Sequence, residues 1–265
     1  MMKSVKQMIR GIAVLTLLAM VVGGFAAADP ILAGDKLPAA KKVLKNFTKA
    51  IGGKKAVMAT DQVILTGKLE IPSQGLSGDL TVRAMAPSYL AIHVEIPGIG
   101  TILTGYNGEV GWSLNPMMGP AVMEGAMLAQ LKREADFYSV LHSSDRYKSM
   151  ETVEKTEFAD TMCWKLKLVT LDGEEIYEYY DVETGYLVGN ESTQESPMGP
   201  MDVVSVISDY KEFGGLMSAT RMSQKMGPGV EQVFVFDSIV YSGVSMDDFA
   251  LPAEIEAMVS GAEAE

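Results

Sequence analysis

The chain has 265 residues, 48% of them apolar, so it is long enough to bury a substantial core in one or two domains. Its net charge of −12 disfavours nucleic acid and anionic membrane surfaces as partners, because both attract basic patches. The single cysteine, Cys163, cannot form an internal disulfide, so packing alone must hold the fold.

The first 28 residues read as a cleaved secretory signal. Lys3, Lys6 and Arg10 precede an apolar run over 12–22, and the small residues Ala26, Ala27 and Ala28 follow. That run is shorter than the roughly 20 residues a membrane-spanning helix needs. The order places the cut before Asp29. No cysteine lies near the cut to take a lipid anchor. Losing the three basic residues of this segment takes the charge from −12 to −15, as suits a soluble periplasmic or secreted protein.

A helix is predicted over 35–51, from apolar spacing at Leu37, Ala40, Val43, Leu44, Phe47 and Ile51 with Gly52-Gly53 as its stop. Lys41, Lys42, Lys45 and Lys49 form its solvated side. Residues 61–71 alternate as a strand, with Gly67 on the apolar phase, where a bend or a close approach is expected. The block 80–116 follows as four short strands broken at Pro87, Pro97-Gly98 and Asn107-Gly108. Asn107-Gly108 predicts a type I′ hairpin turn, in which both central residues take positive φ. Residues 115–123 read as a loop, 124–138 as a second helix, and 139–150 as a polar link. Seven further strands are expected at 151–158, 163–171, 174–181, 186–195, 202–211, 216–225 and 231–241. The small, acidic residues 261–265 form a frayed tail. About a dozen strands with two helices and no convincing linker make one mainly β domain over 29–260.

Motifs for chemistry are sparse. His93 and His142 have no cysteine or second histidine at metal-ligand spacing, and no nucleophile elbow, phosphate loop or zinc-protease motif occurs. No catalytic residue, metal site or cofactor is assigned. Methionine is the compositional oddity: it clusters at Met117, Met118, Met123 and Met127, then at Met198 and Met201, then at Met217, Met222 and Met226. Such residues fill gaps in a core, form a repackable wall around an apolar ligand or offer thioether ligands to Cu(I), the last without the paired histidines or M-x-x-M runs that would support it.

The run Gly78-Asp79-Leu80-x-Val82-Arg83, then Pro87, Pro97, Ile102-Leu103, Asn107-Gly108-x-x-x-Trp112 and Asn115-Pro116, resembles the periplasmic carriers of the outer-membrane lipoprotein-sorting (LolA/LolB-like) superfamily. The resemblance covers about forty residues. It implies a LolA-like incomplete antiparallel β-barrel covered by helices, enclosing an apolar cavity for acyl chains. Leu80, Val82, Leu90, Ile92, Leu103, Trp112, Met117, Met118, Met123, Met127 and Leu131 are the residues expected to line it. The carriers place a basic residue directly before the proline of the second strand, as a latch on a helical lid; here Ala86 stands there. Arg83, three residues earlier, is the basic side chain available for a lid contact.

The resulting expectation is a non-enzymatic, monomeric periplasmic carrier that binds lipid or lipoprotein acyl chains, exchanging them with an envelope donor or acceptor protein. An envelope interaction module without a ligand cavity, or an unrecognised hydrolase, remains the alternative.

Overall fold

Strand alternation becomes one antiparallel sheet in the computed structural model, which describes residues 36–196, 199–226 and 230–262. The expected signal segment 1–28 lies outside the described residues. The N-terminal strands are β1 (Gln62–Ile71), β2 (Leu76–Met85), β3 (Tyr89–Ile96), β4 (Gly100–Tyr106), β5 (Gly111–Asn115) and β6 (Gly119–Met123). The C-terminal strands are β7 (Tyr147–Phe158), β8 (Thr161–Thr170), β9 (Glu175–Asp181) and β10 (Leu187–Gln194). They are followed by β11 (Met201–Phe213), β12 (Leu216–Met226) and β13 (Val230–Val240). Their order is β6-β5-β4-β3-β2-β1-β13-β12-β11-β10-β9-β8-β7. The seam is the β1–β13 pair, from which each half of the chain runs outward to an edge. β6 and β7 are those edges, so the sheet stays unclosed.

Among the described residues, four α-helical pieces accompany it: α1 (Ala40–Ala50), the single turn α2 (Lys54–Val57), α3 (Gly125–Ala135) and α4 (Ala253–Ala262). α1 buries Ala40, Val43, Leu44 and Phe47, the i, i+3, i+4, i+7 face expected of an amphipathic helix. That face joins Leu166, Leu168, Tyr180 and Leu216 in a core over the C-terminal half of the sheet. A second core lies over the N-terminal half, where Leu131 and Ala135 of α3 meet Leu80, Leu90, Ile92, Val94, Ile102 and Tyr106. α4 packs against β6, and its Ile255 is fully buried.

Gly67 sits at the bulge in the seam, where the β1–β13 register shifts between Thr66 and Gly67. A Cβ there would lie 1.9 Å from the carbonyl oxygen of Val235, so only glycine lets the two halves of the sheet meet. The close approach read from the strand pattern is real.

Three local expectations are corrected. Asn107-Gly108 is not a type I′ turn. Gly108 has a φ of 95°, but Asn107 is not in the positive-φ region, and the connection is four residues long, with Tyr106 paired to Gly111. Instead, the Asn107 Oδ1 accepts from the backbone N–H groups of Glu109 and Val110, at 3.1 and 2.8 Å, an Asx turn that holds the loop without inverting both residues. Residues 119–123 are not loop but β6, an edge strand, where Pro120 needs no ladder partner for its missing N–H. The third concerns the start of the predicted tail: α4 runs through Gly261 and Ala262, and residues 263–265 lie outside the described residues.

The tight two-residue hairpin occurs instead at Ala159-Asp160, between β7 and β8, with φ of 47° and 60° and Phe158 paired to Thr161. An alanine Cβ is disfavoured in this region. Ala159→Gly is expected to stabilise the protein by about 1 kcal/mol, read as a higher urea midpoint at unchanged slope; a lower midpoint would refute the strain.

Candidate functional site: the concave face beneath the crossing helix

Because β6 and β7 are opposite edges, the chain between them must cross the concave face, and α3 makes most of that crossing. Its apolar side, Leu128, Leu131 and Ala135, sits on β3–β5, where Leu128 and Leu131 fill the space above Gly111. Its polar side reaches the other half of the sheet. Gln130 donates to Glu134 at 3.0 Å and to the Gln194 side chain at 3.2 Å, and accepts from the Glu195 N–H at 2.9 Å. Arg133 pairs with both Asp172 and Glu174, the carboxylates flanking the β8–β9 turn. A bidentate guanidinium holding two carboxylates resists displacement better than a lysine would. This is the tie between helix and far wall.

The link after α3 is fastened from below. Arg146 donates to the Tyr138 carbonyl at 2.5 Å and pairs with Asp136 at 2.6 Å. His142, in the left-handed conformation at φ 46°, is buried against Tyr147 and Tyr180. Its Nδ1 donates to the Val140 carbonyl at 2.9 Å, which fixes a proton there. Its Nε2 faces the Glu178 carboxylate at 3.0 Å, and the Tyr180 hydroxyl donates to the same carboxylate. Burial opposes the charge on His142, but the Glu178 carboxylate and its hydrogen bond outweigh it and raise the pKa above the ordinary value. Burial likewise works against the Glu178 charge; the His142 charge and the bonds from His142 and Tyr180 hold that carboxyl below its usual range. The pair is therefore ionic, a buried link between the crossing segment and β9.

Two pockets, each open to solvent on one side, adjoin beneath this cover. The first, of about 430 Å³, is apolar: Val63, Leu65, Ala84, Ile207 and Ile239 form its floor, and Phe47, Ile51, Ala135 and Phe137 its roof. It lies between the two cores and borrows walls from both. The second, of about 630 Å³, is lined mainly by polar residues, among them Gln130, Glu134, Glu178, Asn190, Ser192, Gln194, Ser205 and Gln224. Glu134, Asp136 and Ser139 line both, so the end of α3 stands at their boundary. Outside, between α1 and the link, a groove of about 620 Å³ carries Lys41, Lys45, Lys54 and Arg146, with no carboxylate among its lining residues.

The residues expected to line a cavity are distributed differently. Leu80, Leu90, Ile92, Met123 and Leu131 are buried in the N-terminal core with Val82 packed against it, and Met127 is half-buried on α3. Leu103 and Trp112 lie on the opposite, convex face. Gly105, two residues from Leu103, is there the close neighbour of Trp112: a Cβ on it would meet the indole at 2.4 Å. Met117 and Met118 are exposed in the β5–β6 turn, 41% and 56%. Arg83 points to the convex face and pairs with Asp248 at 3.3 Å, so it does not contact α3. The cavity walls come instead from β1, Ala84 at the end of β2, and β8–β13. His142 was legible only as a lone histidine in a polar link. Cys163 is fully buried, its thiol pushed up to about 11 by burial. Among the described residues, no group of three or more His, Cys, Asp or Glu side chains is placed to hold a metal ion. Nor is any helix among them long and apolar enough to cross a membrane.

No protein-family model matches the sequence. No curated protein sequence matches it either. Solved structures do. A DUF1329 family protein from Desulfovibrio piger superposes with a TM-score of 0.56 at 14% identity, covering 80% of this chain and 97% of its own. A LolA superfamily protein from Nitrosomonas europaea gives 0.54 at 14%, covering 81% and 99%. A putative outer membrane lipoprotein-sorting protein domain from Vibrio parahaemolyticus gives 0.53 at 10%, covering 79% and 95%. The chain thus has the LolA-like fold, with an unclosed sheet.

The buried ion pair fixes a pH dependence. The raised pKa of His142 contributes stability that is complete below its unfolded value of about 6.5 and is lost as pH rises through the folded value. The lowered pKa of Glu178 contributes stability present above about 4.3 and lost as pH falls through the folded value. Stability should therefore decline as pH rises above about 6.5 through the raised folded value. His142→Asn should cost roughly 1–3 kcal/mol at pH 6 and flatten the alkaline limb in thermal melts across pH; an unchanged limb would place the titration elsewhere.

Proposed function

We propose that the protein is a periplasmic carrier that holds the acyl chain of a lipid or lipoprotein in the apolar cavity between its two cores. The cavity itself carries this reading. At about 430 Å³ it lies within the range of roughly 300–1,000 Å³ common for small-ligand sites. Its floor is aliphatic across four strands, and both helices that roof it belong to separate cores. Each methylene buried there contributes about 0.8 kcal/mol, so a chain of several carbons offsets the cost of parting α3 from the wall. The basic, apolar and small-residue order of residues 1–28 supplies the export address. The fold supports the same class of role, and an envelope donor or acceptor protein completes the cycle.

In this reading α3 is the lid. Its apolar anchors, Leu128 and Leu131, keep it hinged on the N-terminal core, while the Arg133 tie to Asp172 and Glu174 holds its free side closed. Arg133 then takes the latch role that Arg83 cannot reach.

Filling the cavity is the direct test. Ile207→Trp, on the floor of the apolar cavity, should abolish binding of an uncharged phenyl-naphthylamine fluorophore to delipidated protein while leaving the thermal midpoint at or above that of the parent. Unaltered fluorophore binding in a folded Ile207→Trp protein would contradict the site, as would the absence of binding in the parent.

A further inference from the structure

The polar cavity has a floor that no carrier of bare hydrocarbon requires. Strand register aligns Glu178 of β9 with Asn190 of β10, Asn190 with Ser205 of β11, Ser205 with Gln224 of β12, and Gln224 with Gln232 of β13. One row of polar side chains thus crosses five adjacent strands on the concave face. Along β11 the neighbours on the same face are Val203 and Ile207, and along β12 they are Met222 and Met226, so the row interrupts an apolar surface. Four of the five residues are buried; Asn190 is half-buried. Ser205 is 1% exposed and Gln224 5%, yet among the described residues the Ser205 Oγ and the Gln224 Oε1 have no hydrogen-bond partner. Both residues line the polar cavity. Leaving such groups unsatisfied costs about 1–3 kcal/mol each, which a purely structural role does not explain.

We infer that this row binds the uncharged, hydroxyl- or amide-bearing head of a single-chain amphiphile whose chain lies in the adjoining apolar cavity. The inference rests on the carrier reading and names the class of ligand. Geometry supplies the first argument: Ser205 faces the polar cavity and Ile207, one step along the same face, faces the apolar one. An extended ligand lying along β11 passes from one to the other without a bend. Chemistry supplies the second. The Gln224 carbonyl oxygen only accepts and the Ser205 hydroxyl can accept, so the matching head donates hydrogen bonds.

Charge decides between kinds of donor. The lining has five carboxylates, Glu134, Asp136, Asp172, Glu174 and Glu178, against Lys132, Arg133 and Arg146. Both arginines are already engaged, Arg133 by Asp172 and Glu174, and Arg146 by Asp136. Glu178 is already balanced by His142, and the third cation, Lys132, has its ammonium over the Tyr106 ring of β4, so a phosphate or free carboxylate head would find no unpaired cation at the floor. A buried ammonium fares no better at the floor. Asn190, Ser205 and Gln224 are neutral, and Glu178 is committed to His142 and Tyr180. A glycerol or amide head meets neither penalty.

Competition against the uncharged phenyl-naphthylamine fluorophore separates the cases. Monopalmitoylglycerol, palmitamide, palmitate, palmitoyl lysophosphatidate and hexadecylammonium are compared on delipidated full-length mature protein, and on the Ser205→Ala and Gln224→Leu variants. Two hydrogen bonds gained at the floor should make the glycerol and amide heads displace the probe roughly tenfold better than the charged ones. Each variant should bind the probe as the parent does, melt at or above the parent's midpoint, and lose that preference. Equal displacement by all heads in the parent, a charged head outcompeting the neutral ones, or a preference that survives both substitutions would overturn the inference while leaving the carrier intact. Failure of every compound to displace the probe, or of the probe to bind, would instead overturn the carrier reading, and this inference with it.

Discussion

The rest of the structure depends on where the sheet is joined. β1 and β13 pair in the middle of the strand order, so each half of the chain walks outward and the two edges, β6 and β7, end far apart. The segment between those edges has to traverse the concave face. It cannot do so as bare loop, because a buried backbone needs hydrogen bonds. α3 satisfies its own backbone through the crossing, and the link beyond it is pinned by Arg146, Tyr138 and the His142–Glu178 pair. Gly67 is the residue on which the seam turns, since any side chain there would strike the Val235 carbonyl.

A helix laid over a curved sheet cannot fill the space beneath it evenly. α3 packs tightly only over β3–β5, and α1 only over the C-terminal strands, which leaves two separate cores rather than one. The apolar cavity is the space between those cores, and the polar cavity is the space between the polar side of α3 and the Glu178–Gln224 row. The ties that span the opening are ionic or amide contacts: Arg133 with Asp172 and Glu174, and Gln130 with Gln194 and the Glu195 N–H. Polar ties across an apolar opening are strong in place and exchange readily for water when parted. A cover of that kind suits a site that must be emptied.

Much of the architecture was legible in the sequence because strand alternation and helix spacing are local signals. α1 with its glycine stop, β1, and the strands of 80–116 with Asp79-Leu80-x-Val82 follow from periodicities within a few residues. β6 was missed because Gly119-Pro120 reads as punctuation unless the strand is known to be an edge. The I′ turn was misplaced because Asn107 satisfies its loop through its own side chain, while Ala159-Asp160 is forced into positive φ by the register of Phe158 with Thr161. The cavity is the larger lesson. Ser205 among Val203 and Ile207, and Gln224 between Met222 and Met226, each break an apolar phase, and that signal was present strand by strand. Their alignment in one row depends on the lengths of four connections and on a bulge at Gly189, which no single strand records. The residues flagged from the 80–116 stretch build the wall against which α3 rests; half of those that face the cavities lie beyond residue 170.

The central claim is that the concave face holds an acyl amphiphile, and the most direct measurement is of what the protein carries from its native compartment. Protein purified without detergent from the exported fraction is extracted with organic solvent, and the extract is analysed by mass spectrometry against an equal amount of denatured, washed protein. The account predicts a single-chain acyl compound with an uncharged polar head, approaching one molecule per chain and absent from the washed control. An extract containing no acyl compound above the control would contradict it.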